Sequence, residues 1–290
     1  ARQILDSRGY PTIEVEICAS GVVGRAAVPS GASTGEFEAL ELRDLNQDRF
    51  HGKEILTAIN NVINIFQPRL INKRADNQID IDGLLIEIDG TPNKSNYGAN
   101  AMLGISMACA VVSAKFYKQP LYAYLNSSSS IMPVPMINVL NGGMHADGGS
   151  DIQEIMLFPS GATSFSESLR MGSEIFHTLK GELKNLGLST TVGDEGGFAP
   201  RLKSNEHAIE LLLNAIEKSH YKAGTDVFLA LDVAASSFYN KGEYHLKIDN
   251  KVLDVDGMIQ FYDNLVTQYP IVSIEDGLDE NDWSGWTKMN

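Results

Sequence analysis

Residues Val192 to Pro200 read Val-Gly-Asp-Glu-Gly-Gly-Phe-Ala-Pro, so the carboxylates of Asp194 and Glu195 follow an apolar approach and lie between glycines. We interpret this approach as a strand. Two further acidic residues occupy the same setting, because Asp232 and Glu275 each end an apolar run. Strands that alternate with helices form a parallel sheet or a barrel, and ligands gather at the carboxyl ends of such strands. The acids therefore predict a functional site at one edge of a parallel sheet or barrel.

These three acidic strand ends also predict a cation site. Any one of Glu195, Asp232 and Glu275 is explained by the preference of Asp and Glu for turns, but three together weaken that explanation. The sequence has no thiolate cluster and no pattern of several histidines. Hard cations take oxygen ligands, so the carboxylates favour Mg²⁺ over zinc.

Composition limits the classes of ligand. The chain has 290 residues, 43% of them hydrophobic, which is ample for a sizeable core and favours two domains. Its net charge of −14 repels polyanions, so we do not expect nucleic acid as a direct ligand. An anionic substrate then needs a cation or backbone N–H groups at its site.

Cysteine content and hydropathy bear on location. Cys18 and Cys109 are the only cysteines, and Cys109 lies in an apolar run typical of a core thiol. This usage fits a reducing compartment. The sequence carries no secretory signal and no apolar run of membrane-spanning length, so we expect a cytoplasmic protein.

Two domains are expected. The first, residues 1–128, is α+β: Pro11 to Ile17 alternates polar and apolar residues like a half-buried strand, and Val22 to Val28 follows as its hairpin partner. Ser127 to Ser130 is the best linker candidate. The second domain is then residues 129–290.

This second part has the strand, loop and helix rhythm of a β/α barrel. Amphipathic helices are predicted over Phe165 to Leu186, Glu206 to Ser219 and Gly257 to Gln268. A complete barrel usually needs roughly 250 residues, with about 200 as the lower bound, and residues 129–290 are fewer. Either the barrel is incomplete in this chain, or the sheet is smaller and open.

Two loops have the composition of ligand-binding segments. Ser30 to Gly35, Ser-Gly-Ala-Ser-Thr-Gly, can bring backbone N–H groups and hydroxyls to a metal or phosphate, although an unliganded Gly/Ser loop is the commoner meaning. It lacks the Gly-Lys-Ser/Thr ending of a Walker A loop. Asn141 to Gly149 places His145 between glycine pairs, and a lid residue that reaches a ligand is one interpretation.

Long collinear motifs resemble the enolases, the glycolytic enzymes that interconvert 2-phosphoglycerate and phosphoenolpyruvate. The resemblance runs almost from end to end and favours enolase proper over the wider superfamily of racemases and cycloisomerases. The matching stretches are residues 1–9 (ARQILDSRG), 30–35 (SGASTG), 89–94 (DGTPNK), 98–101 (GANA), 141–143 (NGG), 192–200 (VGDEGGFAP), 231–236 (LDVAAS) and 273–278 (SIEDGL).

The resemblance implies an α+β N-terminal cap domain followed by an α/β (TIM-like) barrel that is incomplete in this chain. It implies a lyase with two Mg²⁺ ions per active site and a small-molecule substrate, in a homodimer or higher homo-oligomer. A cytoplasmic location is expected, and a secondary place at the cell surface stays open, as enolase-like chains also serve as surface receptors.

The resemblance also implies a role for each matching site residue. Glu195 corresponds to the general acid that protonates the departing C3 hydroxyl, with Glu154 assisting and Gln153 contacting substrate. Asp232 and Glu275 correspond to ligands of the higher-affinity Mg²⁺. Ser33 corresponds to the loop serine at the second Mg²⁺ and the substrate phosphate. His145 corresponds to the mobile-loop histidine beside that phosphate.

The chemistry requires such residues. Removal of the weakly acidic proton alpha to a carboxylate leaves extra negative charge, which divalent cations stabilise. Hydroxide is a poor leaving group, so Glu195 must supply a proton.

Part of the family pattern has no counterpart in these 290 residues. The resemblance implies a third carboxylate ligand, a lysine base and further Ser, Arg and Lys residues that hold substrate. We therefore expect the 290-residue chain by itself to have negligible turnover and to bind Mg²⁺ weakly. Two alternatives stay open: another superfamily lyase acting on a different carboxylate, and a non-catalytic binding or scaffold role.

Overall fold

The computed structural model describes residues 1–31, 34–128, 130–143, 148–193 and 196–290. These residues form two compact units, Ala1–Ser130 and Ile131–Asn290. Each unit contains its own hydrophobic core.

The first unit contains a three-stranded antiparallel sheet in the order β1-β2-β3. Its strands are β1 Arg2–Leu5, β2 Pro11–Ala19 and β3 Val22–Ala27. The predicted hairpin is confirmed: Ser20 and Gly21 both have positive φ, 49° and 77°, as a tight turn between twisted strands requires.

Helices cover this sheet. The longest of them, α4 (Ala99–Phe116), packs against β2 and β3. Gly24 of β3 lies so close to Val112 of this helix that an added Cβ would collide with that residue. The absence of a side chain at Gly24 thus allows the close approach of the helix. The helices are α1 Leu56–Asn61, α2 Gln67–Leu70, α3 Gln78–Asp89, α4 Ala99–Phe116 and α5 Leu121–Leu125; a π-helical turn, Val62–Phe66, joins α1 to α2, and Phe50–Gly52 is a 3-10 turn.

Helix α4 is the one described helix long and apolar enough to cross a membrane, with a mean hydropathy of 1.4. However, 61% of it is buried inside the unit. Its apolar character is explained by packing, since Ala101, Ile105 and Ala108 are fully or almost fully buried in the core with the strands.

The second unit contains a four-stranded sheet, a small three-stranded sheet and four helices among the described residues. The elements are β4 Ile137–Asn141, β5 Glu154–Phe158, α6 Phe165–Asn185, α7 Asn205–Lys218, β6 Phe228–Asp232, a 3-10 turn Ala235–Phe238, β7 Tyr239–Asn240, β8 Glu243–Leu246, β9 Lys251–Leu253, α8 Val255–Gln268, β10 Ile271–Glu275 and α9 Trp283–Met289.

The larger sheet has the order β10-β6-β5-β4 and does not close into a barrel within the described residues. Strands β6 and β10 are parallel, but β5 runs antiparallel to both β4 and β6, so the expectation of a parallel sheet is wrong for β5. The cause lies in the connection from β4. Gly142 N donates to Gln153 O at 2.9 Å and Gly143 N to Ser150 O at 2.7 Å, so the chain turns back beside itself.

The predicted helices are confirmed, and local residues set their ends. The Ser164 side chain accepts a hydrogen bond from Glu167 N at 3.2 Å at the start of α6, as helix capping predicts. Gly187, just beyond the end of α6, has φ 71°. The apolar faces of these helices pack on the sheet, so their hydrophobic stripes have a structural role.

Candidate functional site

One end of the four-stranded sheet carries a polar row of four residues, one from each strand. The registers pair Asn141 with Glu154, Glu154 with Asp232, and Asp232 with Glu275. Residues paired directly across strands project from the same face. Glu154 begins its strand whereas the other three end theirs, because β5 is reversed. The fold thus brings together three of the site residues predicted from sequence.

Gln153, the residue before β5, joins this row. Its Nε2 donates to Asp232 Oδ2 at 3.1 Å, and its side chain is buried. The amide therefore contacts one carboxylate of the predicted metal pair and lies beside the other predicted site residues. A substrate bound here would meet Gln153 and Asp232 together.

The ends of β6 and β10 are held together beyond the last strand residues. Val233 N donates to Glu275 O at 3.0 Å, and Ala235 N donates to Asp276 O at 2.9 Å. Ala234 and Asp276 adopt φ values of 48° and 50°, a left-handed conformation that is costly for residues other than glycine. This local strain lies immediately beside Asp232 and Glu275.

Negative charge accumulates at this end of the sheet. Burial raises the pKa of the Glu275 carboxyl above its ordinary value, and the neighbouring carboxylates of Asp232 and Asp276 raise that pKa further. Like charges so close together disfavour full ionisation. A bound cation would offset this repulsion.

The carboxylates of Asp232 and Glu275 suit Mg²⁺, which prefers hard oxygen ligands. Across the described ranges, no group of three or more His, Cys, Asp or Glu side chains lies close enough to hold a metal ion. The polar row therefore offers two carboxylate ligands, Asp232 and Glu275, and these make up part of a Mg²⁺ coordination shell.

Glu195 and Asp194 lie outside the described residues, between Gly193 and Gly196. Val192 forms a single antiparallel bridge with Phe198, so the prediction of a strand leading to the acids is wrong. The chain turns back at once, with Gly193 N donating to Gly197 O at 2.9 Å.

Phe198 anchors this loop in the core. It is fully buried and stacks on Phe176 with ring centroids 4.3 Å apart. Asn141 of the polar row donates through Nδ2 to Gly197 O at 2.8 Å, and a Cβ on Gly197 would lie 2.9 Å from Leu140 N. We call the described residues on either side of such a loop its stem. The stem of the loop that contains Glu195 therefore adjoins the polar row.

His145 and Ser33 also lie outside the described residues. The stem of the His145 loop is held by two main-chain hydrogen bonds, from Gly142 N to Gln153 O and from Gly143 N to Ser150 O.

The stem of the Ser33 loop belongs to the first unit. Ser30 Oγ donates to Asp6 Oδ2 at 2.6 Å, and Arg8 Nη2 donates to Gly31 O at 2.7 Å. The Ser30 hydrogen bond is the main cause that lowers the pKa of Asp6.

Asn141 is a member of the row that the sequence patterns did not single out as a site residue. It is almost fully buried, and its Oδ1 accepts a hydrogen bond from Asn138 Nδ2 at 2.7 Å. The available signal was its position, since it ends the apolar pair Val139-Leu140 much as Asp232 and Glu275 end theirs. An amide at a strand end carries no charge, so it does not stand out in the sequence as a carboxylate does.

Two family models match this chain. The one described as "Enolase, N-terminal domain" matches residues 1–125. The one described as "Enolase, C-terminal TIM barrel domain" matches residues 129–290, which is more than half of the chain. The two matches follow each other along the sequence, and the second contains the whole polar row.

Proposed function

This chain belongs to the enolase family, and on that premise we propose that it serves the reversible, Mg²⁺-dependent dehydration of 2-phosphoglycerate to phosphoenolpyruvate. The observation that carries the proposal is the convergence of Gln153, Glu154, Asp232 and Glu275 at one end of the sheet. The family resemblance gives these four residues roles toward substrate, proton transfer and metal.

Asp232 and Glu275 are the proposed Mg²⁺ ligands. When bound, Mg²⁺ supplies positive charge that stabilises the negative charge developing on the substrate carboxylate. A protein of net charge −14 needs a local cation to accept an anionic substrate. By holding Mg²⁺, these two side chains would supply that cation.

The remaining roles concern substrate and protons. Gln153 orients the substrate through its side-chain amide, which already contacts Asp232. Glu195 donates a proton to the departing C3 hydroxyl, with Glu154 assisting, because hydroxide leaves poorly without protonation. His145 is proposed to contact the substrate phosphate, and Ser33 the phosphate and the second Mg²⁺.

We further propose a cytoplasmic location and a homodimer or higher homo-oligomer, as the family resemblance implies. Cys18 and Cys109 are both free thiols, which accords with a reducing compartment. Size-exclusion chromatography with light scattering tests the oligomeric state.

The test of function is a Mg²⁺ titration of the intact native protein with 2-phosphoglycerate, followed by phosphorus NMR. We expect phosphoenolpyruvate to appear with Mg²⁺ and its formation to stop with EDTA. The Asp232→Asn variant removes a ligand charge while keeping the shape, and its turnover should fall by at least about 100-fold.

The matched control is Asp263→Asn, the same change on the exposed face of α8. Its turnover should stay within about twofold of wild type, as surface changes are nearly neutral. Turnover by wild type that persists in EDTA would contradict the proposal, as would an Asp232→Asn variant of full activity.

A further inference from the structure

The position of Gln153 depends on the segment that leads to β5. Gln153 O accepts from Gly142 N and Ser150 O accepts from Gly143 N, so residues 150–153 continue the β4–β5 pairing past the polar row. A shift of this segment would carry the Gln153 amide away from Asp232 and would turn Glu154 with it.

Asn205, the first residue of α7, supports this segment and is completely buried. Its Oδ1 accepts from Ser150 Oγ and from Asp151 N, both at 2.8 Å. Its Nδ2 donates to Asp151 Oδ2 and to Asp249 Oδ2, both at 3.0 Å. One side-chain amide thus uses both lone pairs and both protons, which is its full hydrogen-bonding capacity.

Asp151 extends the support to a third part of the chain. Its carboxylate accepts from Lys247 N at 2.9 Å and from Ile248 N at 3.2 Å, in addition to Asn205. The carboxylate is buried, and burial raises the pKa of Asp151. Removing a partner from such a network leaves buried polar groups without hydrogen bonds, which is costly.

From this geometry we propose that Asn205 is a positioning residue for the active site. It holds Ser150 and Asp151 in place, and through their backbone it fixes Gln153 and Glu154 at the polar row. This inference rests on the proposed function for its kinetic consequence, but not for its structural one. Asn205 lies in none of the motifs that the sequence patterns assigned to chemistry.

The test compares two variants at the same end of α7 in the intact protein. Asn205→Ala removes all four side-chain hydrogen bonds. The matched control, Ser204→Ala, removes the helix N-cap bond from His207 N, 3.0 Å long, and leaves the Asn205 amide unchanged. Both variants weaken the start of the helix, but only one disturbs Ser150 and Asp151.

Two measurements separate positioning from general destabilisation. For Asn205→Ala we expect KM for 2-phosphoglycerate to rise by about tenfold or more, because small displacements of orienting groups are costly. A loss of folded protein alone would lower kcat and leave KM unchanged. Hydrogen exchange at the Gly142 and Gly143 amides should also become at least about tenfold faster, because their acceptors lie in the released segment.

Ser204→Ala should leave KM within about twofold of wild type and both glycine amides protected. The proposal is overturned if Asn205→Ala matches Ser204→Ala in KM and in exchange. If Asn205→Ala does not fold, Ser150→Ala decides, since it removes the hydroxyl that donates to Asn205 Oδ1 and accepts from Ile152 N, and leaves the other three side-chain hydrogen bonds of Asn205 in place. It should shift KM and exchange in the same direction by about threefold, and no shift in either would overturn the proposal.

If wild type does not dehydrate 2-phosphoglycerate at all, the proposed function fails. The exchange of the Gly142 and Gly143 amides then decides the positioning role by itself.

Discussion

The polar row and the stems of the three glycine-containing loops hold their residues by different means. In the row, main-chain pairing of β4, β5, β6 and β10 sets the spacing between the strands, and side-chain support enters at the segment that leads into β5. At the stems, single side chains hold the chain: Phe198 packs on Phe176, Asn205 binds Ser150 and Asp151, and Asp6 binds Ser30.

This difference separates chemistry from architecture. A substitution in the row, such as Asp232→Asn, should remove function and leave the sheet in place, because the backbone ladder does not involve that carboxylate. A substitution at a stem should lose stability and function together. Each stem offers a way to test this contrast.

The largest effect is expected for Phe198→Ala. Removing a fully buried aromatic ring that stacks on Phe176 should lower the free energy of unfolding by about 3–5 kcal/mol. Urea denaturation measures it. Val192→Ala is the matched control, as Val192 is the other half of the same bridge but 48% exposed, and it should cost less than about 1 kcal/mol. A loss for Phe198→Ala as small as that of the control would contradict this role of Phe198.

A smaller effect is expected for Gly142→Ala. An added Cβ would collide with the main-chain oxygens of Ser150 and Ile152, so the stem must shift, at a cost of about 1–3 kcal/mol. Thermal unfolding of both variants measures it against Gly181→Ala, the same change in α6 with no atom within 4 Å. That control should stabilise the protein by about 0.4–1 kcal/mol. A neutral Gly142→Ala would contradict the tight pairing described for this stem.

The smallest effect, and the one with a pH signature, is expected for Asp6→Asn. Because hydrogen bonds lower the pKa of folded Asp6, its ionised form stabilises the fold above the unfolded pKa of about 3.9. That stability is lost as the pH falls through the lower folded pKa. We expect a cost of about 1–2 kcal/mol at neutral pH, which shrinks in acid.

Unfolding free energies measured across this pH range provide the check. Asp48→Asn, at an exposed position, should stay within about 0.5 kcal/mol throughout. A cost of Asp6→Asn that does not change with pH would mean that the charge on Asp6 is not what holds Ser30.

The regular parts of the site could be predicted from sequence because their signals are local. Apolar runs ending in Asp232 and Glu275 marked strand ends, and residues at strand ends meet at one edge of a sheet. Ser164 and Gly187 marked the limits of α6 for the same reason, since capping involves neighbours along the chain.

The remainder depends on contacts between distant residues. Hydrophobic runs do not encode strand direction, so the reversal of β5 was not visible. The approach to Asp194 does not form a strand, because Phe198 returns to Val192 within a few residues. The contact between Asn205 and Asp151 spans 54 positions, and neither residue stands in an unusual local pattern.

The reversal of β5 has a consequence for how this protein can change. Because β5 starts where its neighbours end, the connection between β4 and β5 delivers Gln153 and Glu154 directly to the polar row. Substitutions in the described part of this connection, residues 148–153, would therefore reach the polar row directly, whereas the main-chain pairing of β5 with β6 involves none of these residues.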